Sequence, residues 1–333
     1  MRSLFVLFLI ACSGVRYQGP PSDHFDGERF HNMGDVAEVS FYDLVKWQAT
    51  RTQGHWPDFV TDPPATKPRE RVGEGELVVT WVGHATMLVQ LDGKNILTDP
   101  VWSDTVGPLA GVGPKRVRAP GVRFEDLPPI DAIVISHSHF DHMDLPSLAR
   151  LSAAFAPRVY AGLGNKRLLE EAGVKNVSEL DWWEADNATG IEVTAVPVQH
   201  FSRRGLDDAM RSLWAGYVFS GARGRVYFGG DTGFGPHFSA VREKLGPMRA
   251  ALLPIGAYLP RWFMYRQHIS PKEAIAAAKI LGADTAIAMH FDTFNLADEA
   301  FEQAPRELRY ALETTRDAQR FWIPTPGAAL VVP

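Results

Sequence analysis

Apolar and polar positions change period several times along this chain, and each change marks an element. From Glu76 to Val82 they alternate as in a strand, and the run ends in Gly83-His84-Ala85-Thr86. Met87 to Leu91 and Asn95 to Thr98 predict two more strands, joined by Asp92-Gly93 as a hairpin turn. An antiparallel meander therefore opens the folded body. Asp131 to Ser136 reads as a buried strand, and Leu145 to Leu151 begins a helix. Helical and strand patterns then alternate to the end, with strands over 191–198, 225–228 and 285–289, which predicts an α/β architecture.

Upstream, Ser40 to Arg51 sets Phe41, Leu44, Val45 and Trp47 at helical spacing behind Ser40 as a cap. An amphipathic helix of this kind packs on the body; Phe41, Tyr42 and Trp47 beside Lys46 and Arg51 also fit a helix lying in a membrane interface. Pro57, Pro63, Pro64 and Pro68 predict loop. Gly107 to Pro120 is a long Gly/Pro-rich loop carrying Lys115, Arg116 and Arg118, and loops of that length tend to be functional.

Polar side chains collect where the strands end. His137-Ser138-His139-Phe140-Asp141-His142 leaves the 131–136 strand with three imidazoles and a carboxylate on one tight loop. These are zinc's nitrogen and oxygen donors, more than one tetrahedral ion takes from a single loop, so the pattern predicts two ions sharing further ligands. The three later strands each end in another donor: His200, Asp231 and His290. Taken singly, His200 reads as a strand end, His290 as a core imidazole and Asp231 as a turn residue. Together they point at one crevice, because the carboxyl ends of strands in an open α/β sheet share an edge. Gly229, Gly230 and Gly233 let the backbone turn and approach closely around Asp231.

Composition narrows the field. The 333 residues are 45% hydrophobic and 22% charged, ordinary for a globular chain. A net charge of -5 offers no basic field, so no nucleic-acid partner is expected. Residues 1–12 pair a short basic end with an apolar run that is too brief to span a bilayer and ends at Cys12, the one cysteine. This resembles the bacterial lipoprotein cleavage box, which implies an exported, membrane-anchored lipoprotein. Residues 13–26 suit a mobile tether, and 27–333 a single hydrolase domain. No Gly-x-Ser-x-Gly elbow, phosphate-cradling loop or dinucleotide fingerprint competes.

The order His-x-His-x-Asp-His, lone His, Gly-Asp-Thr-Gly, last His resembles the metallo-β-lactamase superfamily over 76–292. The resemblance implies an α/β four-layer αβ/βα sandwich with a two-zinc site: His137, His139 and His200 on one ion, Asp141, His142 and His290 on the other, Asp231 bridging. Within the superfamily the chain is similar to N-acyl-phosphatidylethanolamine-hydrolysing phospholipases D. The matching stretches are Val79–Thr86, Leu97–Pro100, Gly113–Arg116 and above all Pro254-Ile255-Gly256-Ala257-Tyr258-Leu259-Pro260-Arg261-Trp262-Phe263-Met264 with Gln267-His268. That similarity implies hydrolysis of a glycerophospholipid phosphodiester, with phospholipid and a membrane surface as partners. Asp141 and Asp231 would set the attacking water. His268 would orient phosphate or protonate the leaving oxygen, beside the helix start Ser270-Pro271-Lys272-Glu273. Lys115, Arg116 and Tyr258 are further candidates for substrate contact. His84 reads as a supporting residue, and His24, His31, His55 and His237 as ordinary surface or loop histidines. A small soluble lactone, cyclic phosphodiester or ester remains the alternative substrate, and a homodimer stays open.

Overall fold

A computed structural model describes residues 16–34, 36, 39–63, 65–316 and 318–333. The signal segment and Cys12 lie outside the described residues. The first half of the chain forms α1 (Phe41–Thr50), β1 (Leu77–Gly83), β2 (Thr86–Leu91), β3 (Lys94–Thr98), β4 (Ala132–Ile135), α2 (Leu145–Phe155), β5 (Arg158–Gly162), α3 (Lys166–Glu171) and β6 (Val177–Leu180). The second forms β7 (Ala185–Asp186), β8 (Glu192–Val196), β9 (Gly216–Gly221), β10 (Gly224–Phe228), α4 (His237–Leu245), β11 (Met248–Pro254), α5 (Arg261–Met264), α6 (Pro271–Leu281), β12 (Thr285–Met289), α7 (Gln303–Thr314), β13 (Arg320–Trp322) and β14 (Ala329–Val332).

Two seven-stranded mixed sheets result, ordered β14-β1-β2-β3-β4-β5-β6 and β13-β12-β11-β10-β9-β8-β7. The expected meander is present: β1, β2 and β3 pair antiparallel, and Asp92 and Gly93 turn between the last two with positive φ. Pleating divides each strand between two faces. Ala132 and Val134 of β4 face the other sheet, where Val193, Tyr217 and Phe228 meet them in the main core. Ile133 and Ile135 face the opposite way and pack with Leu148 and Leu151 of α2. With α4 and α6 on the outer side of the second sheet, the layers follow the expected four-layer sandwich.

The tether expected over 13–26 is, from Arg16 on, part of the body. Tyr17, Phe25 and Phe30 form an aromatic cluster with ring centroids 4.5–5.5 Å apart, and Phe25 and Phe30 are fully buried. A Gly/Pro/Ser-rich composition hid the rings of Tyr17 and Phe25, which have a hydrophobic surface to bury against Phe30. Among the described residues no helix is long and apolar enough to cross a membrane.

Candidate metal centre

Parallel pairing of β3 with β4, of β10 with β11 and of β11 with β12 brings their carboxyl ends to common edges. The loop after β4 then meets the segments after β8, β10 and β12. His137 Nε2 lies 2.8 Å from His139 Nδ1, which lies 3.3 Å from His200 Nε2, so three ring nitrogens face one point. Asp141, His142 and His290 form a second group that also takes in His84. Asp231 stands between the groups: its oxygens are 3.1 Å from His290 Nε2, 3.2 Å from His142 Nε2 and 3.9 Å from His200 Nε2. All seven expected ligands are thus gathered in one buried cluster. Gly230 makes room for Asp231 with φ of 53°, and a Cβ there would fall 2.5 Å from the Ser136 side chain.

The hydrogen bonds behind the ring nitrogens settle which atom each imidazole offers. His142 Nδ1 donates to Asp99 at 2.6 Å, and His200 Nδ1 donates to the Gln267 carbonyl at 3.0 Å. His137 Nδ1 donates to Ser136 Oγ at 2.8 Å, which in turn donates to Asp99 at 2.6 Å. In the tautomers assigned by these bonds, Nε2 of His137, His142 and His200 carries the lone pair and faces the cluster interior. Lone pairs that converge without donors fit a cation.

Unpaired atoms agree. Asp231 Oδ1, His142 Nε2, His268 Nδ1 and both ring nitrogens of His290 are buried with no well-aligned hydrogen-bond partner. At about 1–3 kcal/mol for each such group, a fold does not keep the set empty-handed. Nitrogen and carboxylate donors in two linked groups fit two transition-metal or zinc ions, with Asp231 placed to be shared.

Electrostatics tell the same story. Burial would push the carboxyls up, but His290 and His142 beside Asp231, and His142 beside Asp141, hold both well below the usual range. Burial opposes charge on His290 as well, yet Asp231 and Asp141 raise it to about 9. The two carboxylates demand cations. With metal bound, the ions meet that demand and the rings serve as neutral ligands. Burial keeps His84, His200 and His268 neutral down to about pH 3, and His139 down to about pH 4.

The remaining expected residues fall in different places. His268 sits at the cluster with Nδ1 3.8 Å from Asp231 and its ring 5.3 Å from that of His200. Lys115 is exposed on its loop. Arg116, expected to meet a phosphate, is instead buried, donating Nε to the Ser103 carbonyl and NH2 to that of Val101 at 3.0 Å each. Its guanidinium ties the loop together. Tyr258 is also buried, with its hydroxyl near Glu307 and Glu299.

Three supporting residues escaped the sequence reading. Asp99 is wholly buried and binds Ser136 and His142; its signal was a carboxylate at the end of a strand that neighbours β4. Asn32 accepts from His200 N at 3.0 Å and donates to His200 O at 2.8 Å, a clasp with no local signature. His237, expected as a surface histidine, is buried against Thr232 Oγ1 at 3.1 Å. His84 does support the site, with Nε2 2.9 Å from Asp141.

Comparison with known proteins fits this geometry. A family model described as a β-lactamase superfamily domain matches residues 94–291. N-acyl-phosphatidylethanolamine-hydrolyzing phospholipase D 1 of Caenorhabditis elegans is 39% identical over 256 residues, covering 73% of this chain and 72% of that one. An uncharacterized protein of Mycobacterium tuberculosis is 35% identical over 289 residues, covering 85% and 76%. Among solved structures, an isothiocyanate hydrolase from Delia radicum gut bacteria superposes with a TM-score of 0.58 at 22% identity, over 76% of this chain and 98% of that one. The matched span holds all seven gathered donors, so the chain belongs to the metallo-β-lactamase superfamily, among its metal-dependent hydrolases.

Proposed function

We propose that this protein is a two-zinc phosphodiesterase of the phospholipase D type. Its substrate would be N-acyl-phosphatidylethanolamine or a related glycerophospholipid. Water adds at phosphorus, the bond from phosphorus to the alcohol oxygen breaks, and phosphatidate and an N-acylethanolamine or similar alcohol leave. The observation that carries the reading is the 39% identity to the nematode phospholipase across most of both chains, joined to a site whose donors fit two ions.

The position of the Pro254–His268 stretch supports it. Ile255 N bonds the Met289 carbonyl at 3.0 Å, which anchors the stretch beside His290. Arg261 NH1 donates to the His268 carbonyl at 2.8 Å, and so fixes the backbone that presents the imidazole to Asp231. Two bound cations supply Lewis acidity toward a phosphoryl oxygen and a lowered pKa for water. His137, His139 and His200 would hold one, Asp141, His142 and His290 the other, and Asp231 both. The neutral His268 ring, with an unpaired nitrogen facing the cluster, is placed to orient a phosphate oxygen by hydrogen bonding.

Mutation tests the assignment. His139→Ala and Asp231→Ala should each lower release of the alcohol from N-acyl-phosphatidylethanolamine by about a thousandfold. Full turnover in either variant overturns the site. Activity of the wild type on soluble lactones or cyclic phosphodiesters, with none on phospholipid, overturns the substrate and leaves the metal centre.

A further inference from the structure

The face of α1 that does not pack on the body is apolar. Trp47 and Leu44 turn inward, where Trp47 stacks on Phe263 at 4.7 Å and joins Ala257, Met264 and Ala297. Phe41 and Tyr42 on the other side are 80% and 72% exposed, and Val45 is exposed beside them. The patch continues onto the α5 segment through exposed Trp262 and Tyr265, with Lys46 Nζ 4.6 Å above the Trp262 ring.

Five large side chains held in water on two packed segments, joined where Lys46 lies over Trp262, present an apolar surface of the kind that marks a binding site. Its chemistry is that of a bilayer interface. Phe, Tyr and Trp prefer the headgroup level, where an apolar ring and a polar edge are both satisfied. The cation Lys46 stands among them over Trp262, while Arg266 is part-buried and paired with Asp43 at 3.6 Å. Asp43 is itself tied into the cap of α1 through Ser40. N-acylation removes the amine charge of phosphatidylethanolamine, so the proposed substrate is an anionic lipid and suits a cationic aromatic surface.

The patch is also wired to the metal centre. The Arg266 carbonyl, next in sequence to Tyr265, accepts from Gln199 at 2.8 Å, and the Gln267 carbonyl accepts from His200. His268 follows. A lipid surface resting on α1 and α5 therefore lies against the segment that presents the substrate-orienting imidazole.

We propose that Phe41, Tyr42, Val45, Trp262 and Tyr265 form an interfacial docking surface that seats the protein on an anionic phospholipid bilayer, its active-site rim against the lipid. The docking inference rests on the phospholipid reading above. Phe41→Ser/Tyr42→Ser is the first test, because both side chains are exposed and their loss removes no core contact; Tyr265→Ser is the second. Three measurements are made on the full chain: co-sedimentation with vesicles of phosphatidylcholine doped with phosphatidylglycerol, hydrolysis of N-acyl-phosphatidylethanolamine carried in such vesicles, and hydrolysis of a short-chain phosphodiester kept below its micelle concentration.

The expected result is a loss of about tenfold or more in vesicle binding and vesicle hydrolysis, with turnover of the monomeric substrate unchanged. Equal vesicle binding by wild type and variants overturns the proposal. So does a wild type that binds no vesicles, or one that is a dimer which the substitutions dissolve, since the patch would then be a protein interface. If the wild type binds vesicles through this patch but hydrolyses no phospholipid, the docking surface stands and the substrate assignment fails.

Discussion

Asp99 controls the centre without any need to touch an ion. Its carboxylate takes Nδ1–H of His142 directly and that of His137 through Ser136, so a single buried group sets two tautomers. Outer partners of this kind hold the ring angle and raise ligand basicity. Asp99→Asn keeps the volume but removes the charge and one acceptor oxygen. Zinc affinity, measured by competition with a chromophoric chelator, should fall about 10–100-fold in that variant. Cooperative unfolding of the metal-free protein should persist, because burial already pushes the Asp99 carboxyl up and its charge stabilises little there. Affinity equal to the wild type would refute the arrangement. At this scale the sequence offered the donors but not their supports. His137 and Asp231 announce themselves as motif members, whereas Asp99, Asn32 and His237 matter only through neighbours far away in the chain.

Among the elements, α6 and the α5 segment act as one unit around His268. Ser270 caps α6 in a reciprocal box with Glu273, and Glu273 also pairs with Arg261 at 2.8 Å. Arg261 in turn holds the His268 carbonyl. Replacing Glu273 by Ala removes half of the cap and frees Arg261. Stability in urea should drop by about 1 kcal/mol, the usual cost of a lost cap with a half-exposed ion pair adding little. Turnover should drop by about tenfold through a displaced His268, with metal content unchanged. A loss of metal in step with activity would show that the unit serves the ligands instead. Both caps, at Ser40 and Ser270, were legible in the sequence because a cap is a local device spanning four residues. The outward face of α1 was legible only as a pattern of rings. Whether Phe41 or Trp47 is covered depends on Phe263, over two hundred residues away.

For the molecule as a whole, the stretch from Arg16 to Asn32 is a strap across the edge of the sandwich. Tyr17 N and Phe30 N bond the carbonyls of Arg211 and Met210, Asn32 clasps His200, and His24 stacks on Trp182 at 4.3 Å while bonding Asp181 at 2.7 Å. Burial disfavours charge on His24, but Asp181 and Asp23 outweigh it and raise its pKa above the ordinary 6.5. A raised histidine stabilises the fold fully below its unfolded pKa, and the contribution fades as pH climbs through the folded value. His24→Gln should therefore cost most, of order 1 kcal/mol, near about pH 5.5, and progressively less toward about pH 9. Thermal unfolding of both proteins across that range checks the sign. A gap that widened with pH would mean that His24 is held by stacking alone.

Pattern alone marked the strands that carry the site, the caps and seven candidate donors, since period, turn chemistry and ligand type are properties of neighbouring residues. That His200, Asp231 and His290 share an edge was also foreseeable, because strands running parallel in one sheet end on the same side; that the loop after β4 of the other sheet meets them there was decided by how the two sheets pack. Tertiary packing decided the rest: that Arg116 is a buried tie, that the Gly/Pro-rich stretch from Arg16 becomes a strap, and that Asp99 and Asn32 brace the histidines. Each of those outcomes depends on which distant surface a side chain reaches, and no local pattern records that.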